Sequence, residues 1–362
     1  MDISTIYIDG GTRMSLRPAH PSAPRPTTAH SPSDAPDISE ISGAPTHSGW
    51  TTWHRPLLLT AALLTALTAV CAIGLAVDDR TLTGAPIWLK PFKFSVSFLI
   101  YALSLAWMLS RSARARRLGH GAGTVVAAAV VVEMAIIVTQ TVRGRRSHFN
   151  TETPLDSTLF TVMGNTIVVL WAASLVVAVL LIRSPLADRA GALALRLGAL
   201  IALAGAALGF LMTRSTPGQR ADLRAGEDPT TVGAHSVGVP DGGPSMPLTG
   251  WSTTGGDLRI PHFVGLHALQ LLPLLAFGLT LLAARLPRLR AAHTGPRLVL
   301  TAGAAYAALV ALTTWQALRG QPLTDPDGAT LGALAAIVTA TAAGVLFSLR
   351  APARRSAGRT AP

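Results

Sequence analysis

Long apolar runs alternate with short polar segments along most of this chain. The runs lie at 57–77, 91–110, 124–142, 159–182, 191–212, 262–284, 298–318 and 331–349. Each holds about 18–24 residues, enough for a helix to cross a hydrocarbon core about 30 Å thick. Backbone polar groups in lipid must be satisfied within the segment, so the runs predict helices rather than open strands. The expected fold is therefore an all-α integral membrane bundle of eight transmembrane helices. Pro273 falls inside the sixth run and predicts a bend rather than a break. Gly198, Ala202, Gly205 and Gly209 place small residues along the fifth run, a spacing that lets two helices approach closely.

Polar positions organise the rest. Residues 1–49 are rich in Pro, Ser, Thr, Ala and His without helical period, and read as a disordered tail without a signal-peptide core. Residues 50–349 form the transmembrane domain, and 350–362 a short basic tail. Eight crossings place both termini on one side. The turns on that side and the carboxyl tail carry fourteen arginines, with Asp188 as their sole acid. The opposite segments, 78–90, 143–158, 213–261 and 319–330, carry basic and acidic residues in near balance. Short arginine-rich turns stay in the cytoplasm, so both termini are expected inside and segment 213–261 outside.

Composition agrees with this reading. Only 13% of residues are charged and 49% are hydrophobic, against about 25% charged in average soluble domains. The net charge of +12 is concentrated in the turns, which points to membrane orientation rather than nucleic-acid binding. Cys71 is the only cysteine, so intrachain disulfides and cysteine metal clusters are excluded. Phosphate loops, dinucleotide fingerprints, nucleophile elbows, CxxCH and HExxH motifs are missing, and no internal repeat suggests a transporter built from halves.

The candidate chemistry lies in polar residues that break the apolar pattern. Glu133 sits within TVVAAAVVVEMAIIVTQTV, about 15 Å from the polar end of its span. A carboxylate at that depth costs at least about 2.5 kcal/mol unless it is neutral, paired or facing an internal cavity. Gln140 shares its helical face, and Arg143, Arg146, His148, Asn150 and Asp156 follow. The sixth span opens with His262, His267 and Gln270. Five helical steps separate the two histidines, so they lack the i,i+4 spacing of zinc helices. Lys90 and Lys93 are helical neighbours at the start of the second span, against the expected charge bias. With Arg143, Arg146 and Arg214 they suit an anion.

The long segment 213–261 holds nine Gly and six Pro, and turn residues at that density imply specified geometry, expected here as a cap over a membrane cavity. Within it, LTGW–STTGGD–LRI reads as a hairpin turning at Gly255-Gly256, near Trp251. Glu133, His267 and His148 are the candidate catalytic or proton-handling groups. Lys90, Lys93, Gln140, Arg143, Arg146, Asn150, Arg214, His262, Gln270 and Trp251 are candidate ligand contacts. His148, His262, His267 and His235 with Asp156, Asp241 or Asp257 could supply a divalent metal site, since imidazole and carboxylate suit zinc or iron. No cofactor is assigned by pattern, and haem is disfavoured because only the sixth span carries histidine within the membrane. The same polar residues can also serve as hydrogen-bond glue between helices, which is the structural alternative for each.

KPFKFSVSF (90–98), RGRRSHFN (143–150), GFLMTRSTP (209–217) and GWSTTGGDLRIPHFVGLHALQLLP (250–273) resemble an uncharacterised family of bacterial multi-pass membrane proteins. The resemblance covers roughly 57–284 and implies a bacterial inner-membrane address without any assigned activity. The sequence thus leaves three classes open: a membrane enzyme or sensor acting on a lipid headgroup or small anion, a proton-coupled transporter, or a structural subunit. Scarcity of polar residues in the cytoplasmic halves counts against transport. Membrane lipids are the expected partners.

Overall fold

The computed structural model describes residues 53–111, 116–185 and 188–350. The two expected tails, 1–49 and the part of 350–362 beyond Arg350, lie outside these residues. Among the described residues eight helices are long and apolar enough to cross a membrane: α1 (Arg55–Val77), α2 (Leu89–Arg111), α3 (Arg116–Val142), α4 (Pro154–Arg183), α5 (Arg189–Met212), α7 (Arg259–Ala283), α8 (Thr294–Leu318) and α9 (Gly328–Leu349). The chain is an all-α, multi-pass membrane protein. A short helix, α6 (Pro217–Arg224), lies in the connection between α5 and α7.

The helices begin where their sequences supply caps. Thr153, with Pro154 behind it, accepts from the Asp156 amide to start α4. Asp188 accepts from two amides to start α5, and Asp327 accepts from Thr330 to start α9. His54 caps α1 through Nδ1, while its Nε2 donates to the His120 carbonyl of α3, tying the two helices at one end. α7 continues through Pro273 over its full length.

The helices pack as two groups. In one, α1 lies on α2 and α3, and α3 on α4; in the other, α5 lies on α7 and α8, and α8 on α9. The tightest approach is between α5 and α7, where a Cβ on Gly205 would come 2.6 Å from the Cα of Gly265. The small-residue face expected on α5 is thus used for close packing, which is the usual route to helix association where lipid supplies no hydrophobic drive. α4 and α5 join the groups. Large apolar side chains such as Leu59, Val168, Leu274 and Phe347 remain exposed, as suits a lipid-facing surface.

The connections 78–88, 143–153, 213–258 and 319–327 interlock at one end of the bundle, here called the capped end. Thr151 donates from its amide and hydroxyl to Thr230 and Pro229, and Val232 donates to the Phe149 carbonyl. Gln219 bonds both the amide and the carbonyl of Gly233. Gly233 has φ 96°, and a side chain there would run into the Met212 carbonyl. Lys93 and Arg259 donate to the carbonyls of Thr249 and Gly250. The predicted hairpin at Gly255-Gly256 is not formed. Gly256–Asp257 instead pairs antiparallel with Ser236–Val237, and Ser245 bridges Ser252. Gly256 lies so close to the Ala317 carbonyl of α8 that no side chain fits. Its glycine therefore serves close packing, a requirement that local turn chemistry does not reveal.

Candidate functional site

Beneath the capped end lies a cavity of about 1600 Å³, at the seam between the two helix groups. α2 and α4 form one wall and α5 and α7 the other, with Glu133 and Thr141 contributed by α3. The cap segment 231–252 roofs it. Along α2 the lining runs from Leu89 and Lys90 to Met108. That is about 28 Å of helix, close to the ~30 Å of a hydrocarbon core.

The two ends of the cavity differ in chemistry. Near the cap, Lys90, Lys93, Arg145, Arg146, Arg214 and Arg259 meet His148, His235 and Asp241. Farther in, Leu105, Met108, Met163, Val177, Leu181 and Ala202 make the lining apolar.

Several basic groups at the cap are already engaged. Arg145 and Arg146 both pair with Glu152, at 2.5 and 2.8 Å. Arg259 grips Asp257 through Nε and Nη2, and Asp257 is fully buried beneath it. The two lysines have no carboxylate partner among the described residues. Lys90 Nζ donates to His148 Nδ1 at 3.1 Å, and Lys93 Nζ to the Thr249 carbonyl at 2.9 Å. A Cβ built on Gly250 would lie 3.9 Å from Lys93 Nζ and 4.0 Å from Arg259 Nη1, so these two cations converge on one turn of the cap. The hydroxyl of Thr249 in that turn is buried and unpartnered.

His148 packs edge-on against Phe94 and Phe149. Burial, together with the positive charge of Lys90, holds its imidazole well below the usual histidine range. It is therefore neutral near pH 7, with Nδ1 free to accept from Lys90. His235 is also lowered, chiefly by burial, although its bond to Asp241 acts in the opposite sense. Asp241 is held well below the ordinary carboxylate range by bonds from the His235 ring and the amides of His235 and Ser236, which outweigh its own burial.

Glu133 lies on the cavity wall about 14 Å from the capped end of α3, and is 1% exposed. It does not face lipid. Its Oε1 has no hydrogen-bond partner among the described residues. His267 and Gln270 line the same cavity from α7. The expected company of Glu133 with an imidazole and an amide is thus realised as a shared cavity, without a direct bond between them. Gln270 donates to Ser104 Oγ, and its own Oε1 is unpartnered.

The remaining candidates divide. Arg146, Arg214, Trp251 and His262 line the cavity. His262 donates through Nδ1 to the Gly205 carbonyl at 2.8 Å, so that nitrogen acts as glue between α7 and α5. Gln140, Arg143, Asn150 and Asp156 lie outside the lining. Asp156 is fully buried and accepts from Gln140 Nε2, Arg143 Nη1 and Thr153 Oγ1 at 2.7–2.9 Å. Arg143 also donates to Gln140 Oε1, and Asn150 bonds Arg146 and Glu152. Their polar capacity is spent joining the end of α3 to the start of α4, and the negative charge of Asp156 sits in the first turn of α4, where the helix dipole favours it.

The histidines and carboxylates that could have supplied a metal site do not converge among the described residues. Among the described residues no three His, Cys, Asp or Glu side chains are arranged to hold an ion. Asp156 and Asp257 face arginines, and Asp241 faces His235. Arg259 is the residue the sequence reading missed. At the start of an apolar run it has the signature of a headgroup anchor, and only its turn back toward Gly250 brings it to the cavity.

Comparison with family models, with curated proteins and with solved structures finds no match.

Proposed function

We propose that this membrane protein binds an amphiphile, with an anionic head beside Lys90, Lys93 and Arg259 and an apolar tail in the cavity below. The observation that carries the reading is the division of one cavity into a basic, capped end and an apolar shaft of nearly membrane length. A small anion alone would leave that shaft without a counterpart. A tail fills it and gains about 25 cal/mol per Å² of apolar surface removed from water. Lysines without carboxylate partners suit a phosphate or carboxylate, which they bind as point charges. Neutral His148 positions Lys90 without competing for the anion.

The cap supplies the roof of the head site and shields it from water. The charge distribution of the turns supports both termini being cytoplasmic, which puts the cap on the external side, and the family resemblance implies a bacterial inner membrane. A second polar route through the far half of the bundle would be needed for a hydrophilic transport cargo, and the lining there is apolar.

Native mass spectrometry of the detergent-extracted protein tests the binding reading. The expected result is one retained anionic lipid per chain, lost in the Lys90→Gln/Lys93→Gln double variant. Equal retention of zwitterionic lipid by both proteins would overturn it. Orientation is checked separately by Thr254→Cys and Arg288→Cys variants, both at exposed positions. A membrane-impermeant maleimide should label the first in intact cells and spare the second.

A further inference from the structure

Most polar side chains in the shaft are satisfied within the protein. Tyr101 and Ser174 bond each other across α2 and α4 at 2.6 Å, and Ser174 also donates to the Leu170 carbonyl. His262 donates to Gly205. Two acceptors are different. Glu133 Oε1 and Gln270 Oε1 are both buried, both belong to residues of the cavity lining, and neither receives a hydrogen bond among the described residues.

The orientation of the Gln270 amide is fixed by its neighbour. Ser104 donates its hydroxyl hydrogen to the Ile100 carbonyl at 2.8 Å, so its oxygen can only accept from Gln270. The orphaned atom of Gln270 is therefore its carbonyl oxygen, matching the orphaned oxygen of Glu133. A buried acceptor without a donor is destabilising, so two in one apolar shaft mark a place where a donor is expected.

Their depths agree. Glu133 lies about 14 Å from the capped end of α3, and Gln270 about 16 Å from the capped end of α7. Lys90 and Lys93 lie within about 6 Å of the capped end of α2. The two levels are thus separated by about 10 Å by depth along their own helices, and by about 16 Å by the bond of Gln270 to Ser104, eleven residues beyond Lys93 on α2.

We propose that the shaft holds a second recognition station, in which Glu133 and Gln270 accept hydrogen bonds from a hydroxyl or N–H group carried partway along the apolar body of the ligand. This rests on the amphiphile reading and narrows it. The ligand class is an anionic amphiphile bearing a donor about 10–16 Å from its charged head. A plain acyl chain would leave both oxygens unsatisfied, and a donor placed next to the head would not reach them.

Three probes test this in detergent solution with the full chain: octadecanoate, its mid-chain hydroxylated derivative, and the isomer hydroxylated beside the carboxylate. Calorimetric titration should show the mid-chain hydroxy acid binding roughly fivefold or more tighter than the other two. Glu133→Leu and Gln270→Met should each lower that preference toward unity. The Lys90→Gln/Lys93→Gln variant should weaken all probes together and preserve the preference. Equal binding of the three probes to the unaltered protein would overturn the second station while leaving the amphiphile reading standing. No binding of any of the three would count against the amphiphile reading itself. The probe comparison in the unaltered protein needs no variant, so a misfolded substitution does not shield the proposal.

Discussion

Two buried carboxyl groups, one joining the end of α3 to the start of α4 and the other about two turns back along α3, behave in opposite ways. Asp156, Gln140 and Arg143 form a closed knot in which the buried carboxylate accepts three side-chain hydrogen bonds. Glu133, farther along the same helix, faces a large cavity with one oxygen unpartnered. Both carboxyl groups are removed from solvent, so burial alone does not separate a structural acid from one proposed to meet a ligand. Satisfaction does. A group whose lone pairs are all used can hold helices together but has nothing left for a ligand. A group left short destabilises the free protein, and that cost is the mark of a binding surface.

The largest effect should come from breaking the closed knot. Asp156→Ala strands Gln140 and Arg143 and removes the favourable charge from the first turn of α4. Unfolding in detergent should show a loss of about 2–4 kcal/mol, nearer the lower figure because Arg143 can reach solvent. If thermal stability were unchanged, the distinction between the clusters would fail at its structural half.

Next in size is the double change Lys90→Gln/Lys93→Gln. It should weaken binding of an anionic amphiphile by about tenfold or more, since each charge-assisted bond contributes about 1.5–3 kcal/mol. The fold should be kept, because the polar partners of the two lysines among the described residues are His148 and the Thr249 carbonyl rather than a carboxylate. Fluorescence titration with octadecanoate reads the binding, and the melting curve reads the fold.

Glu133→Leu should act in the reverse direction to Asp156→Ala. Removing an unsatisfied buried acceptor and adding apolar contact should raise stability by about 1–2 kcal/mol. A clear loss of stability would mean that Glu133 is structural glue like Asp156.

The smallest effect concerns pH and the cap. His148 and His235 are both held below the ordinary histidine range, so they take up protons less readily in the folded cap than free imidazoles, which become charged below about pH 6.5. The unfolded chain then binds more protons, and stability falls as pH drops from about 6.5 toward 5. Asp241, held low, contributes in the more acidic range, its stabilisation being lost below about pH 4. Melting curves should therefore shift down by a few degrees between pH 7 and 5. His148→Gln should flatten part of that slope, and an unchanged slope would show that His148 is charged in the fold.

Much of the architecture was legible in the order of residues. Apolar run length, capping residues such as Thr153, Asp188 and Asp327, and the glycine face of α5 all act locally or along one helix. Glu133 stood out for the same reason, as a single costly residue in an apolar background. Gln140, Arg143 and Asn150 were misleading because they share a helix end with true lining residues, and spacing does not tell which way a saturated side chain is turned. Arg259 and the pairing of Gly256 with Val237 were hidden because each depends on chain segments distant in sequence.

Eight membrane-length helices and a buried acid followed from composition and periodicity, because lipid forces each span to satisfy its own backbone. Which polar groups face one another did not. That was settled when the two helix groups met along a seam and the cap closed over it. Hydrogen-bond satisfaction belongs to pairs of atoms in space, and a linear pattern specifies only one member of each pair.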